Sequence, residues 1–308
     1  MTWTVEAIPD QTGRTVLVTG ATSGLGLASA VALAGAGARV LLGARDAARG
    51  KAALQRVLSE GGPDAELVEL DLADLASVRR AAADVRERTG DALHVLLNNA
   101  GVMATPPRRT VDGFELQIGT NHLGHGALTW LLMPALRRGG AARVVTLASL
   151  AHRGGGLDVD DLHFTRRRYV AGRAYSQSKL ANRLFATELD RRLRADGADV
   201  ISVAAHPGVT GSQLFANSVA HRSPLLAQLA VPLTKLFTQD VRTGALPQLY
   251  AATAPQVRGG DYIGPGGLGE LYGPPAPARR SAAARDEELA RRLWRATADA
   301  TGVQPDPD

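Results

Sequence analysis

The sequence predicts an α/β protein built on one doubly wound parallel sheet. Short β-branched or leucine-rich runs alternate with longer amphipathic stretches along the chain, which is the pattern of repeated strand–helix–strand units. The first such run leads directly into a glycine-rich turn and then a helix. Polar clusters follow later strands, NNAG at 98–101 and HPGVT at 206–210, where open α/β sheets bind ligands.

Composition narrows the possibilities. A chain of 308 residues can hold one large α/β domain or two small ones. With no domain boundary and no short internal repeat in view, one domain over 1–308 is expected: a core over 14–210, a cover over 211–240, and a terminal helix and tail over 278–308. Hydrophobic content of 45% and charged content of 21% are ordinary for a globular protein. The absence of Cys excludes disulfides, thiol nucleophiles and Cys-based metal sites, and fits a reducing cytoplasm as the expected location. The first residues are polar, with no basic and apolar regions of a signal peptide. No apolar run reaches transmembrane length, so no membrane partner is expected. The pI of 9.9 rests on a net charge of only +5, carried by scattered Arg. Only Arg166, Arg167 and Arg168 cluster, without interleaved aromatics, so nucleic acid is not an expected partner.

The elements follow in order. Residues 14–20 (RTVLVTG) suit a strand buried on both faces. The run TGATSGLG, from Thr19 to Gly26, leads into an Ala/Leu-rich helix ending near Gly35. Glycine permits the turn and a close backbone approach, while the helix N-terminus offers free N–H groups to a pyrophosphate. Gly20, Thr22, Ser23, Gly24, Leu25 and Gly26 are the candidate cradle. Residues 38–43 form the second strand, ending at Ala44, Arg45 and Asp46. An NAD site usually carries an acidic residue there for the ribose 2′-hydroxyl. Here Ala44 takes that place, and Arg45 is a natural partner for a 2′-phosphate. Asp46, the next residue, complicates this reading, with a cap on the following helix as its alternative role. NADP(H) is therefore favoured over NAD(H).

The third strand, 66–70, ends at Asp71 and Leu72, expected beside an adenine. A helix over 73–89 places Leu75, Val78, Ala82 and Val85 on one face. The fourth strand, 94–97, delivers Asn98, Asn99, Ala100 and Gly101; a plain turn explains the Gly but not the paired Asn. Asn121 lies inside a helix over 114–136, where Asn competes for backbone hydrogen bonds, so a local bend or a polar role is expected. The fifth strand, 143–147, delivers Ser149. The sixth, 199–204, ends in His206, Pro207, Gly208, Val209 and Thr210. Residues 211–237 are apolar and poorly periodic, reading as short helices over a pocket or as ordinary core; their place after the sixth strand favours a mobile substrate cover. Residues 261–264 suggest a last strand, 264–277 a loop, and 285–298 a terminal amphipathic helix. The final residues are expected to fray.

Tyr175 and Lys179 stand four residues apart on one helix face. A phenol with a pKa near ~10 is a poor acid–base catalyst at neutral pH. An ammonium one turn away stabilises the phenolate and is expected to lower that pKa, letting the pair exchange a proton with an alcohol or carbonyl. A solvated helix face would produce the same spacing; the strand-end motifs upstream distinguish the two. His122, His125, His152 and His206 lack the carboxylate or Cys complement of a metal site, so surface or capping roles are expected, and no metal.

Together these residues resemble the short-chain dehydrogenase/reductase family over nearly the whole chain. The likeness rests on the glycine turn, Asp71, the NNAG run, Asn121, Ser149, Tyr175 with Lys179, and Pro207 with Gly208. Within the family the chain is most similar to the retinol-dehydrogenase-like branch, including soluble bacterial members. The stretches ARD at 44–46, NHLGH at 121–125, SLAH at 149–152 and YIGPGGLGE at 262–270 carry that likeness, with the long interval from Ser149 to Tyr175. A membrane anchor like that of the animal retinol enzymes is not expected. The resemblance implies a Rossmann-like sheet, with Tyr175 as acid/base and Ser149 bonded to the substrate oxygen. It implies Lys179 on the nicotinamide ribose, Asn121 anchoring a water relay, and Thr210 on the carboxamide near Pro207 and Val209. The apolar character of 211–237 suggests a lipophilic aldehyde or ketone or the corresponding alcohol as substrate, and the assembly implied by the resemblance is a monomer or homo-oligomer. A nucleotide-binding sensor or scaffold of the same fold is the alternative; it would be favoured by loss of the Tyr, Lys or Ser, and none is lost.

Overall fold

Eight strands form one sheet in the computed structural model, which describes residues 2–209 and 239–307. They are β1 Thr15–Thr19, β2 Arg39–Ala44, β3 Ala65–Glu69, β4 Val95–Asn98, β5 Ala142–Leu147, β6 Val200–Ala205, β7 Tyr262–Pro265 and β8 Pro275–Pro277. Their order is β3-β2-β1-β4-β5-β6-β7-β8. The first seven run parallel, and β8 pairs antiparallel with β7. The helices are α1 Gly24–Gly35, α2 Ala47–Glu60, α3 Leu75–Thr89, α4 Leu116–Ile118, α5 Gly124–Gly139, α6 Ala171–Ala195, α7 Val241–Thr253 and α8 Glu287–Thr301.

The side-chain alternation of β1 explains the layering. Val16 and Val18 pack with residues of α1, α2 and α7 on one face. Leu17 packs with α3, α5, α6 and α8 on the other. Both faces are covered, so the strand is apolar between its two terminal threonines, Thr15 and Thr19, which are themselves buried. Trp294 of α8 fastens the C-terminal helix: it stacks on Phe185 with ring centroids 5.2 Å apart and meets Trp130 edge-on at 4.8 Å.

All seven expected strands lie within one residue of their expected ends. Three expectations need correction or refinement. The loop expected over 264–277 contains β8; its Pro-rich run pairs only on one side, as proline tolerates at a sheet edge. The last described residues are docked on the fold: Val303 is 5% exposed and Arg137 Nη2 lies 2.6 Å from Asp306 Oδ1. The helix expected over 114–136 is α4 and α5 joined by a π-helical segment, Gly119–Leu123, with Asn121 at its centre. This is the local bend anticipated at that Asn, and such segments often mark functional sites. The apolar cover expected over 211–237 lies outside the described residues.

The strand order reverses between β1 and β4. That switch point, beyond the carboxyl ends of the strands, is where open α/β sheets bind ligands. The glycine turn after β1 and the NNAG run after β4 lie side by side there, Asn99 Nδ2 donating to Thr19 O.

Candidate active site

The turn after β1 is shaped by what glycine leaves out. Gly20 has φ +65°, and a Cβ there would come within 2.8 Å of Ala100 Cα. At Gly26 a Cβ would meet the Gly20 carbonyl and lie 2.5 Å from Asn99 Nδ2. Gly24, with φ +56°, faces open space. Ser23 begins α1 without capping it through its side chain, so the first N–H groups of the helix are left to a ligand. Thr22 and Ser23 are half-buried beside them. An uncapped helix start, a glycine floor and open space fit a pyrophosphate.

The rest of the expected cofactor surface is contiguous with this turn. Asn99 Nδ2 donates to Thr19 O at 2.8 Å, tying the NNAG run to the end of β1. Asn98 is buried instead and donates to Thr129 Oγ1, so the paired amides do different work. Arg45 is exposed at the end of β2 and makes no ion pair among the described residues. Asp46 turns away: it caps α2, its Oδ1 accepting from Arg49 N at 2.9 Å. Asp71 Oδ1 accepts from Ala73 N at 2.9 Å, and Leu72 beside it is buried. Pro207 and Val209 are held by the loop that follows β7, where Val209 N donates to Leu271 O at 2.9 Å. Thr210 lies outside the described residues.

Four residues expected to carry the chemistry converge at the Gly101 end of this surface. Tyr175 and Lys179 share one face of α6, with Lys179 Nζ 5.8 Å from the Tyr175 ring centroid. Ser149 follows β5 and begins a short 3₁₀ turn, its hydroxyl accepting from Ala151 N at 3.2 Å and lying near enough to Tyr175 to favour the ionised phenol. Asn121 is fully buried: its Oδ1 accepts from Val102 N at 2.8 Å, and its Nδ2 donates to Val102 O and to Ser178 Oγ, both at 2.9 Å. Gly101 separates Asn121 from Lys179, for a Cβ on it would lie 3.2 Å from Asn121 Oδ1 and 3.5 Å from Lys179 Nζ.

The electrostatics differ from the expectation for this pair. Burial pushes the Tyr175 phenol up rather than down, opposed only by the Ser149 hydroxyl. Burial also brings the Lys179 ammonium down to about 8. Its Nζ donates to Leu147 O at 3.1 Å, away from the phenol oxygen. Burial of the phenol therefore outweighs the pull of the neighbouring ammonium.

The four histidines also depart from expectation. His122, His125, His152 and His206 are all buried, at 2% exposure or less, rather than on the surface. Each has a neutral partner or a carboxylate that makes burial tolerable. His122 Nε2 meets Thr297 Oγ1 at 2.9 Å, and His152 Nδ1 donates to Ser149 O at 2.6 Å. His206 Nδ1 accepts from Gly208 N, so its Nε2 donates to Glu270 Oε2 at 3.0 Å. Among the described residues, no group of three or more His, Cys, Asp or Glu side chains could hold a metal ion.

Several supporting residues were not anticipated. Gln248 on α7 donates to Ser29 Oγ at 2.6 Å and reaches Asn99 Oδ1 at 3.4 Å, linking the two sides of the glycine turn. Gln117 Oε1 accepts from Ala104 N at 2.9 Å, and its amide donates to Tyr169 Oη. Glu270 binds both His206 and Arg153. Glu270 lies in the 262–270 stretch noted in the sequence, but its partners did not show there; Gln117 and Gln248 act across tertiary contacts and left no sequence signal.

Comparison with known proteins agrees with this architecture. A family model described as short chain dehydrogenase matches residues 14–223. Polyprenol dehydrogenase of Mus musculus is 43% identical over 292 residues, covering 93% of this chain and 83% of that protein. Retinol dehydrogenase 13 of Homo sapiens is 39% identical over 293 residues, covering 95% and 86%. A crystal structure of a protein from Mycobacterium Paratuberculosis superposes with a TM-score of 0.82 at 41% identity, over 99% of both chains. The Pseudomonas aeruginosa RhlG/NADP active-site complex superposes with a TM-score of 0.64 at 26% identity, over 82% and 94%. Among the described residues no helix is long and apolar enough to cross a membrane. The chain belongs to the short-chain dehydrogenase family, whose fold binds a nicotinamide cofactor and whose members are hydride-transferring oxidoreductases.

Proposed function

We propose that this protein is an NADP(H)-dependent oxidoreductase acting between a lipophilic aldehyde or ketone and the corresponding alcohol, with Tyr175 as the acid/base. The observation that carries this reading is the convergence of Tyr175, Lys179, Ser149 and Asn121 beside Gly101, at one end of a surface whose other end is a pyrophosphate cradle. When bound, the nicotinamide supplies or accepts the hydride. In reduction the Tyr175 hydroxyl gives its proton to the carbonyl oxygen. A phenol pushed up by burial remains protonated at neutral pH, which suits the donor role. The Ser149 hydroxyl bonds the same oxygen and stabilises the charge that develops there. Lys179 offers its remaining donors to the ribose hydroxyls, and Asn121 holds the Val102 backbone beside it.

Exposed Arg45 at the end of β2, with Asp46 engaged in capping, supports a 2′-phosphate over a bare ribose. Exposed Leu268, Leu271 and Tyr272 lie on the loop bonded to Val209 and supply an apolar rim for the substrate. The names of the retinol and polyprenol dehydrogenase relatives support the same substrate class. The test is NADPH oxidation with a panel of long-chain and short-chain aldehydes and ketones, and NADP reduction with the matching alcohols. Turnover that rises with substrate apolarity is expected. Turnover on no member of the panel, with NADPH nevertheless bound, would mean a nucleotide-binding protein without this chemistry.

A further inference from the structure

His125 sits on the first turn of α5, directly after the π segment, and is 2% exposed. Its ring touches both halves of the site. Nδ1 lies 2.9 Å from the main-chain oxygen of Asn121. A carbonyl can only accept, so Nδ1 carries the hydrogen. Nε2 lies 2.9 Å from Thr19 Oγ1 at the end of β1. That hydroxyl already accepts from Asn99 N at 2.9 Å and Ala100 N at 3.0 Å. Both of its lone pairs are then used, and its single proton has two possible acceptors, His125 Nε2 and the Leu97 carbonyl at 3.3 Å. The shorter contact takes it. The directions of all four hydrogen bonds are therefore fixed, and the ring is a neutral imidazole with one donor and one acceptor end.

We propose that His125 is a positioning residue that sets the cofactor-binding turn at Asn99 and Ala100 in register with Asn121 beside Lys179. The Thr19 end of the ring holds the turn, because the hydroxyl it accepts from is the one that bonds Asn99 and Ala100. The Asn121 end holds the centre of the π segment, whose side chain fixes Val102 and packs with Lys179 around Gly101. The part of this inference that concerns turnover rests on the proposed oxidoreductase function; the part that concerns cofactor binding does not.

Two substitutions separate the ends. In His125→Asn the amide nitrogen replaces Nδ1 and keeps the bond to Asn121 O, but nothing reaches Thr19. In His125→Gln the amide oxygen replaces Nε2 and keeps the acceptor for Thr19, while the donor to Asn121 O is lost. NADPH affinity, from fluorescence titration, is expected to fall about fivefold in the Asn variant and little in the Gln variant, since the Thr19 hydroxyl then turns to the longer bond with the Leu97 carbonyl and its hold on Asn99 and Ala100 loosens by about the worth of one hydrogen bond. Turnover at saturating NADPH is expected to fall about tenfold in the Gln variant and less in the Asn variant. This crossed pattern supports the proposal. Parallel losses in both variants that track their melting temperatures would reduce His125 to a structural residue, and two unchanged variants would remove it from the site. If wild type binds NADPH but turns nothing over, the affinity split still decides the cofactor half, while the function above fails by itself. If neither variant folds, the 15N shifts of the wild-type ring at pH 7 decide: the Nδ1-protonated tautomer is expected, and the Nε2-protonated tautomer or an imidazolium overturns the bridge.

Discussion

Lowering the pH from 7 to 5 should remove several kcal/mol from the stability of this fold, because imidazoles are buried in neutral form. Burial brings His122 down to about 3, with His125 adding to the effect, and brings His125 down to about 4. Burial pushes His206 down as well, opposed by the Glu270 carboxylate beside it. In the unfolded chain each returns to about 6.5. The sign follows: between these values the unfolded state binds protons that the folded state refuses, so stability is present above pH 6.5 and is lost as pH falls toward 4. For His122 and His125, unfolding near pH 5.5 takes up about two protons, a slope of roughly 2.5 kcal/mol per pH unit. Integrated from pH 7 to 5, these two groups contribute about 4 kcal/mol, a large share of the whole stability of many domains. His152 and His163 lean in the same direction by burial. Glu115 and Asp190, whose carboxyls burial pushes up, take protons in the folded state and offset part of the loss. The assay is urea unfolding at pH 7, 6 and 5, followed by tryptophan fluorescence. A free energy of unfolding that stays flat over this range would refute the reasoning, since it would require these rings to be hydrated or charged in the fold.

Cofactor choice supplies the other predictions. Arg45→Ala should lower kcat/KM for NADPH roughly 10- to 100-fold, the equivalent of one charge-assisted hydrogen bond of about 1.5–3 kcal/mol, and leave NADH nearly unchanged. Ala44→Asp should turn the preference toward NADH by placing a carboxylate at the 2′ position. Wild type using both cofactors equally would redirect Arg45 to solvent.

The sheet was legible because its central strands are nearly continuous apolar runs and a Gly, Asn, Asp or Pro stands close after most of them; edge strand β3, AELVE, was marked mainly by the Asp71 that follows it. The seven strands so marked are present, and the bend at Asn121 was visible as an amide inside an apolar helix. The three-residue β8 was not, since its pairing is decided by the β7 backbone and not by its own Pro-Ala-Pro sequence. The docked tail depends on Arg137, far away in the chain. Burial of the four histidines was equally hidden: an imidazole reads as polar in sequence, and only the tertiary fold supplies Thr19, Thr297 and Glu270 as partners. The upward shift of Tyr175 has the same origin. Helical spacing places Lys179 nearby, but the depth of the site and the Leu147 carbonyl determine what the ammonium does.

The central claim is that the Tyr175 hydroxyl moves the proton. Tyr175→Phe keeps the ring and removes only that group, so NADPH should bind with nearly unchanged affinity. The measurement is kcat for aldehyde reduction in wild type and in this variant, at saturating NADPH. A fall of about 10²–10⁴-fold is predicted, the range of general acid–base catalysis. Turnover near that of wild type would contradict the account and place the proton donor elsewhere.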